Sequence, residues 1–382
     1  MSDSLATSLL PDGLRDVLPP DATREADVLR GLIDRFRASA YRRVDPPLVE
    51  FEESLLDGAG AATAPHTFRL MDPVSQRMMG VRADMTVQVA RLATSRMTKS
   101  PRPLRLCYAG PVLRVRGSQL RPERQVTQAG CELIGADAPE ADAEIIAVAV
   151  DALASVGARN LSVDLSLPTI VPAVFEALEM RDADRRAARQ ALDRKDARAI
   201  EDLGGAAADR LGALLGASGA AKPALEGLRG IELPTVAIVE RDRLERVVAL
   251  LRETVPGLAM TVDLVEHRGF EYQTGLSFTV FAKGVRGELG RGGRYAAGPA
   301  REAATGFTLY MDSLLRAVPE GGLARIVYLP HGTAPARGEA LRAAGWRTLA
   351  GLAAEADPAA EARRLGCTHI DDAASGDQPT AL

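Results

Sequence analysis

The sequence predicts an α+β fold: an antiparallel sheet with flanking helices, a helical insertion and a small α/β domain at the C-terminal end. Three observations carry that expectation. Strand-like segments at 104–108 and 126–134 flank a long polar loop rich in arginine and read as a hairpin. From about residue 167 to 257 the composition shifts to Ala, Arg, Asp and Leu with almost no aromatics, which reads as a run of short helices. After Glu320-Gly321-Gly322 strand and helix patterns alternate as βαβαβ, the signature of a small parallel sheet.

The elements follow in chain order. Pro19-Pro20-Asp21 stops the leading segment and offers Asp21 as an N-cap, after which Val28, Leu29, Leu32, Ile33 and Phe36 recur at helical spacing. Residues 41–50 are extended around the Pro46-Pro47 pair. Residues 68–91 read as a strand, a turn at Asp72-Pro73, a second strand and a helix beginning near Thr86, with Asp84 or Thr86 free to cap its first turn. Pro139 opens another helix, whose buried face is Ile145, Ile146, Ala149, Val150 and Leu153. Inside the insertion, helices are expected over 182–203 and 206–215, separated by Gly204-Gly205 and by 216–219. Strand character returns at 276–281 with a turn at Lys283-Gly284, and the run Gly290-Arg291-Gly292-Gly293-Arg294-Tyr295 reads by itself as a loop. In the last domain, strands are expected at 326–329, 348–349 and 368–370, helices at 335–344 and 357–365, and a frayed end over 371–382. The domain limits are thus 1–320, with the insertion at about 167–257, and 321–382.

Composition narrows the function classes. The 382 residues carry 47 Lys and Arg against 51 Asp and Glu, a net charge of −4, so no global basic field draws the chain to nucleic acid and no nucleic-acid partner is expected. Cys107, Cys131 and Cys367 show no metal or disulfide spacing and read as reduced and buried. His66, His267, His331 and His369 are scattered, so no zinc site is expected. Neither a leading basic-then-apolar stretch nor an apolar run of membrane-spanning length occurs, which points to the cytoplasm.

Specific motifs carry more. Residues 113–135, LRVRGSQLRPERQVTQAGCELIG, resemble motif 2 of the histidyl-tRNA synthetases, with Arg114 in the place of the arginine that grips the ATP α-phosphate and Arg116 in the place of a glutamate. Residues 41–50, YRRVDPPLVE, resemble the motif 1 of class II synthetases that builds their dimer interface, although a helix running into an edge strand would read the same way. Residues 306–315, GFTLYMDSLL, resemble the motif 3 helix, whose Glu-Arg pair holds ATP but which here reads Asp312-Ser313. Arg82-Ala83-Asp84-Met85-Thr86, Arg268-Gly269-Phe270-Glu271-Tyr272 and the Gly290 to Tyr295 run resemble further segments of the same family, the last as a substrate-side turn. These segments keep the family's order across 10–318. The resemblance implies a class II aminoacyl-tRNA synthetase-like fold with a shortened C-terminal domain.

It also implies a histidine-binding set. A free amino acid needs an acid for its ammonium, donors for its carboxylate and polar groups for its side chain, all in fixed array. By resemblance, Asp84, Thr86 and Gln128 hold the ammonium, Glu132 contacts the imidazole, Arg268 binds the carboxylate and Tyr272 lines the imidazole end, with Arg114 beside them; Gln273 departs from a family tyrosine. Asp84 and Thr86 also read as helix caps, a role that does not exclude the first. Glu132, on an apolar strand, needs an arginine or backbone partner if its role is structural. Ser313 in an arginine slot costs a preorganised phosphate contact, typically about 3–4 kcal/mol of transition-state stabilisation. No catalytic residue, metal or cofactor is therefore assigned.

A histidine pocket without an activating site resembles the regulatory subunits of short-form ATP phosphoribosyltransferase, whose "R-(A/P)-D-M-T-(P/V)-Q-(V/I)-A-R" matches residues 82–91. That resemblance implies a non-catalytic subunit of histidine biosynthesis. It would form a homodimer within a hetero-octamer with the short-form ATP phosphoribosyltransferase catalytic subunit, support that subunit's activity and mediate feedback inhibition by L-histidine. Two other readings remain at this point: an active histidyl-tRNA synthetase, or a paralogue acting on another amino acid.

Overall fold

The computed structural model describes residues 9–56, 58–117, 121–266, 272–319, 325–372 and 378–382. The chain divides into two compact units, Met1–Pro319 and Glu320–Leu382.

The first unit runs α1 (Asp21–Ala38), β1 (Arg42–Arg43), β2 (Val49–Phe51), α2 (Glu52–Leu55), a 3-10 segment (Gly58–His66), β3 (Phe68–Met71), β4 (Met78–Val81), α3 (Thr86–Ser95), β5 (Leu104–Leu113), β6 (Gln125–Ile134), α4 (Pro139–Ser155) and β7 (Leu161–Ser166). It continues with α5 (Ile170–Ala177), α6 (Asp182–Asp193), α7 (Ala197–Glu201), α8 (Gly205–Gly216), β8 (Gly219–Ala220), α9 (Ala221–Arg229), α10 (Thr235–Thr254), β9 (Ala259–Asp263), β10 (Ser277–Ala282), β11 (Gly290–Ala297), β12 (Glu302–Tyr310) and α11 (Met311–Ala317). A nine-stranded sheet orders these strands as β1-β5-β6-β12-β11-β10-β7-β9-β8. All its pairings are antiparallel except β1 with β5 and β7 with β9. A small antiparallel sheet, β2-β4-β3, stands apart from it.

Strand alternation sorts the central hairpin onto two cores. Cys107 and Ala109 of β5 and Ala129, Cys131 and Leu133 of β6 join Val28, Leu32, Ile33 and Phe36 of α1 and the buried face of α4. Leu104, Leu106, Tyr108 and Val112, with Val126 and Ile134, face the other way onto Met85, Val89, Ala90 and Ala93 around α3. Gln128 and Glu132 share the parity of this second face. The larger core continues without a break into α5–α10, so these helices are packed as part of the first unit.

The second unit holds β13 (Ile326–Leu329), α12 (Pro335–Ala343), β14 (Arg347–Ala350), α13 (Pro358–Arg364), β15 (His369–Ile370) and β16 (Thr380–Ala381). Its sheet order is β14-β13-β15-β16, with β13 parallel to β14 and β15. Asp357 caps α13 by accepting from the Ala360 N–H at 3.0 Å.

Several expectations need correction. Asp21 lies inside α1, whose cap position is Pro20, so its carboxylate serves the first-turn charge and not a capping bond. The helix expected over 182–203 breaks between α6 and α7, where Lys195 takes a positive φ of 53°. The glycine-rich run 290–295 is strand, not turn, because strand neighbours on both sides satisfy its backbone. Residues 306–310 are also strand, and the helix begins only at Met311. The end is not wholly frayed, since Thr380–Ala381 pairs antiparallel with β15.

Close strand packing explains one glycine in particular. Gly306 lies opposite Glu132 across the β12–β6 pair, and a Cβ there would overlap the Glu132 carboxylate and lie 2.8 Å from the Cys131 carbonyl oxygen. Gly212 in α8 has open space around it, its closest neighbour being 4.0 Å away. Gly306→Ala should therefore cost about 1–3 kcal/mol by overpacking, whereas Gly212→Ala should stabilise by about 0.5–1 kcal/mol through helix propensity. Urea titration of both variants checks the opposite signs.

Candidate functional site

A cavity of about 700 Å³ opens on the second face of the large sheet. Asp84 and Thr86 enter it from the junction of β4 and α3, Glu132 and Thr308 from the sheet, and Tyr272 from the segment before β10.

The Asp84 corner is built from local bonds. Arg82, almost fully buried, donates to the carbonyl oxygens of Pro46 and Pro111 at 2.8 Å each, and so fixes the start of the loop. One Asp84 oxygen accepts the Thr86 N–H at 2.8 Å, and the other accepts from Gln128 Nε2 at 3.0 Å. Gln128 is held at its other end by the Met85 N–H, 3.1 Å from its Oε1. Both amide ends are thereby used, and Gln128 stands behind Asp84 as its support instead of lining the cavity.

The Glu132 corner is wholly buried. Tyr295 donates to Glu132 Oε2 at 2.9 Å and Tyr108 to Oε1 at 3.3 Å. The Tyr108 hydroxyl also meets Thr308 Oγ1 at 2.8 Å and Thr86 Oγ1 at 3.1 Å, so four side chains form one hydroxyl network under the carboxyl. Tyrosine hydroxyls thus supply what the sequence left to an arginine or a backbone donor. Burial pushes the Glu132 carboxyl up to about 8, and the nearby Asp84 charge pushes the same way, against the opposing effect of the hydroxyl bonds. The carboxyl is accordingly mostly protonated near neutral pH. Tyr272 stacks edge-on against Tyr295 with ring centroids 6.2 Å apart.

The far end of the cavity is basic, with Arg114, Arg116, Arg121, Arg291 and Arg316 along its wall. Glu288 pairs with two of these five: Arg291 Nη2 lies 2.6 and 2.8 Å from its two oxygens, and Arg121 Nη2 donates to it at 3.1 Å. The Arg121 guanidinium also lies 3.6 Å over the Tyr310 ring. Ser313 is buried, and its hydroxyl accepts from Arg316 at 3.1 Å.

Of the seven residues singled out in the sequence, Asp84, Thr86, Arg114, Glu132 and Tyr272 line this one cavity. Gln128 lies behind it, and Arg268 lies outside the described residues. Sequence reasoning gave no site role to Tyr108, Tyr295 and Thr308, whose contacts depend on cross-strand register, nor to Glu288, which lies in the connection from β10 to β11. Among the described residues no cluster of His, Cys, Asp and Glu could hold a metal ion, and no helix is long and apolar enough to cross a membrane.

Comparisons with known proteins agree with this architecture. The histidyl-tRNA synthetase family model matches residues 13–314. The chain is similar to the ATP phosphoribosyltransferase regulatory subunit of Rhodospirillum centenum, at 57% identity over 96% of this chain and 95% of that one. Among solved structures it resembles the ATP phosphoribosyltransferase regulatory subunit/histidyl-tRNA synthetase of Bacillus halodurans, with TM-score 0.78 at 24% identity over 93% of this chain and 96% of that chain. It also resembles a chain of the ATP phosphoribosyl transferase (HisG:HisZ) complex of Thermotoga maritima, with TM-score 0.59 at 18% identity over 75% of this chain and 97% of that chain. At these identities the solved structures establish the fold.

The raised Glu132 value has a stability consequence. An acid whose folded value lies above its ordinary 4.5 favours the folded state most at low pH, and that contribution is lost as pH rises from about 4.5 through about 8. Glu132→Gln cannot ionise. The stability difference between wild type and Glu132→Gln should thus move in favour of the variant between about pH 5 and about pH 9 by several kcal/mol. Denaturant unfolding of the ligand-free proteins at both pH values measures it, and a pH-independent difference would contradict the assignment.

Proposed function

The chain belongs to the family of ATP phosphoribosyltransferase regulatory subunits, on a histidyl-tRNA synthetase fold, and from that premise we propose that it senses L-histidine for a separate catalytic subunit. In this reading it is a non-catalytic member of the histidine-biosynthetic enzyme, supporting the catalytic subunit's activity and carrying feedback inhibition. It assembles as a homodimer within a hetero-octamer and works in the cytoplasm. The unit Glu320–Leu382 is its shortened C-terminal domain, and the helices over about 167–257 are an insertion in the synthetase-like domain.

One observation carries the proposal: a single cavity pairs a fixed acidic corner at Asp84 with a fully buried carboxyl at Glu132 that two tyrosine hydroxyls hold. The ammonium of histidine goes to Asp84, with Thr86 beside it. Its imidazole goes to Glu132 under Tyr272, its carboxylate goes to Arg268, and Arg114 borders the ligand. A neutral carboxyl facing a neutral imidazole can pass its proton across, so the pair becomes ionic without a net proton from solvent. The basic end supports recognition without activation. Ser313 stands in the slot of the motif 3 arginine, Arg116 in that of a motif 2 carboxylate, and Glu288 competes with any phosphate for Arg121 and Arg291.

The proton balance makes the proposal testable. Below about pH 6.5, the ordinary value of imidazole, binding releases a proton; above about 8, where Glu132 ionises, it takes one up. Histidine affinity should therefore be highest between these limits and fall on both sides. Titration calorimetry in buffers of different ionisation enthalpy reads both the affinity and the proton count. Saturation at about 100 times the dissociation constant should add about 2.7 kcal/mol of stability, and the same preparation should catalyse no histidine-dependent ATP–pyrophosphate exchange. Equal binding of unrelated amino acids would defeat the histidine reading, and exchange activity would defeat the non-catalytic one.

A further inference from the structure

Cys107 and Cys131 stand directly opposite each other across β5 and β6, in the larger core that the sheet shares with α1. Their backbones point away from one another. The Cys107 carbonyl oxygen accepts from the Val44 N–H at 2.9 Å, on the β1 side of its strand. On β6 the Gly135 N–H binds the Ala303 carbonyl oxygen at 2.8 Å, and Cys131, at the same parity, likewise turns its backbone toward β12. The two cysteines are therefore a non-hydrogen-bonded pair, the closer of the two kinds of cross-strand pair, with Cα atoms about 4.5 Å apart. A disulfide spans Cα separations of about 4.4–6.8 Å, so this register admits one where the sequence spacing suggested none. Both thiols are free and fully buried.

We propose that Cys107 and Cys131 form a reversible disulfide in response to a small peroxide, and that this bond weakens ligand binding on the opposite face of the sheet. Burial pushes both thiols up, Cys107 to about 11, which keeps them protonated and slow to oxidise at neutral pH. Arg43 and Arg37 oppose the rise at Cys107, whereas the charges of Cys107, Glu132 and Glu144 add to it at Cys131. Cys107 is thus the thiol that ionises first. Its thiolate attacks one peroxide oxygen and the O–O bond breaks, leaving a sulfenic acid, while the departing hydroxide takes the thiol's proton and leaves as water. The Cys131 sulfur then displaces the sulfenic hydroxyl as a second water. Two thiols and one hydrogen peroxide give one disulfide and two waters, with two electrons passing from sulfur to oxygen. A disulfide holds its Cβ atoms about 3.5–4.5 Å apart, against about 4.5–5.5 Å for facing residues of two strands, so closure draws β5 and β6 together. Tyr108 and Glu132 are the next residues along and face the cavity, where the hydrogen bond between them is already long at 3.3 Å. The effect on the ligand rests on the histidine reading, and the disulfide itself does not.

The test uses the full chain carrying Cys367→Ser, which excludes links through the third cysteine. It is treated with hydrogen peroxide, quenched with a thiol-blocking reagent and digested without reductant. Mass spectrometry should find the peptides of Cys107 and Cys131 joined, with two hydrogens lost and no oxygen added, and dithiothreitol should separate them. L-histidine should bind the oxidised protein about tenfold more weakly than the reduced one, and dithiothreitol should restore the affinity. Adding Cys131→Ala should leave histidine affinity unchanged by the same peroxide dose. The linkage is read on the chain that keeps both cysteines, so it does not depend on how that variant folds. Thiols that stay free, stop at the sulfenic or sulfinic acid, or join only in denaturant would overturn the disulfide. A linked protein that binds histidine as the reduced one does, or a Cys131→Ala chain that loses affinity equally, would overturn its effect on the pocket. If the reduced protein does not bind histidine, the histidine reading falls, while the linkage is still decided by its mass.

Discussion

The Glu132 carboxyl is buried on β6, an interior strand of the nine-stranded sheet, and accepts hydrogen bonds from the hydroxyls of Tyr295 and Tyr108. Removing a carboxyl from water is costly unless it is hydrogen-bonded, and costlier still if it stays charged. Much of the local structure answers that constraint. Tyr108, Glu132 and Tyr295 must share one face of three strands, which fixes the register of β5, β6 and β11, because a one-residue slip would turn each of them into the opposite core. Gly306 must lack a side chain because the carboxyl occupies the space. Gly130 follows the same logic, since a Cβ there would come within 2.5 Å of the Tyr108 hydroxyl.

The same strand also ties the site to the helices. Arg294, next to Tyr295, donates to Asp142 of α4 at 2.8 Å and to Asp137 at 2.9 Å, and Arg243 of α10 reaches Asp137 at 3.0 Å. Arg294 is almost fully buried, so this network is held by packing as well as by charge. The Glu132 end of the cavity is thus built on a frame shared with α4 and α10. The arginine end is different, with Arg121 and Arg291 of its five arginines drawn onto Glu288.

Much of this was legible in the sequence, for identifiable reasons. The α1 and α4 helices announced themselves because Val28, Leu32, Ile33 and Phe36, and Ile145, Ile146, Ala149 and Leu153, repeat at helical spacing and are buried where that spacing puts them. The C-terminal alternation gave its parallel sheet for the same reason. What misled was glycine. Residues 290–295 resemble a loop by composition, yet two neighbouring strands close their hydrogen bonds, and local preference loses to tertiary pairing. At the site, Asp84, Thr86 and Glu132 were visible because each falls in a short contiguous segment that resembles the family's. The partners of Glu132 were not, because Tyr108 and Tyr295 lie 24 and 163 residues away and meet it only through sheet register.

The central claim is that occupancy of this pocket is read by another protein, and the most direct measurement is the phosphoribosyl transfer rate of a short-form ATP phosphoribosyltransferase catalytic subunit reconstituted with this chain. The account predicts that the chain raises the rate, that L-histidine then lowers it, and that Glu132→Gln blunts the inhibition while the assembled complex survives on size exclusion. A coupling of about 1–3 kcal/mol would appear as a roughly 5–150-fold change in apparent affinity. A catalytic subunit that is neither bound nor activated, or one inhibited by histidine to the same degree with the Glu132→Gln chain, would contradict it.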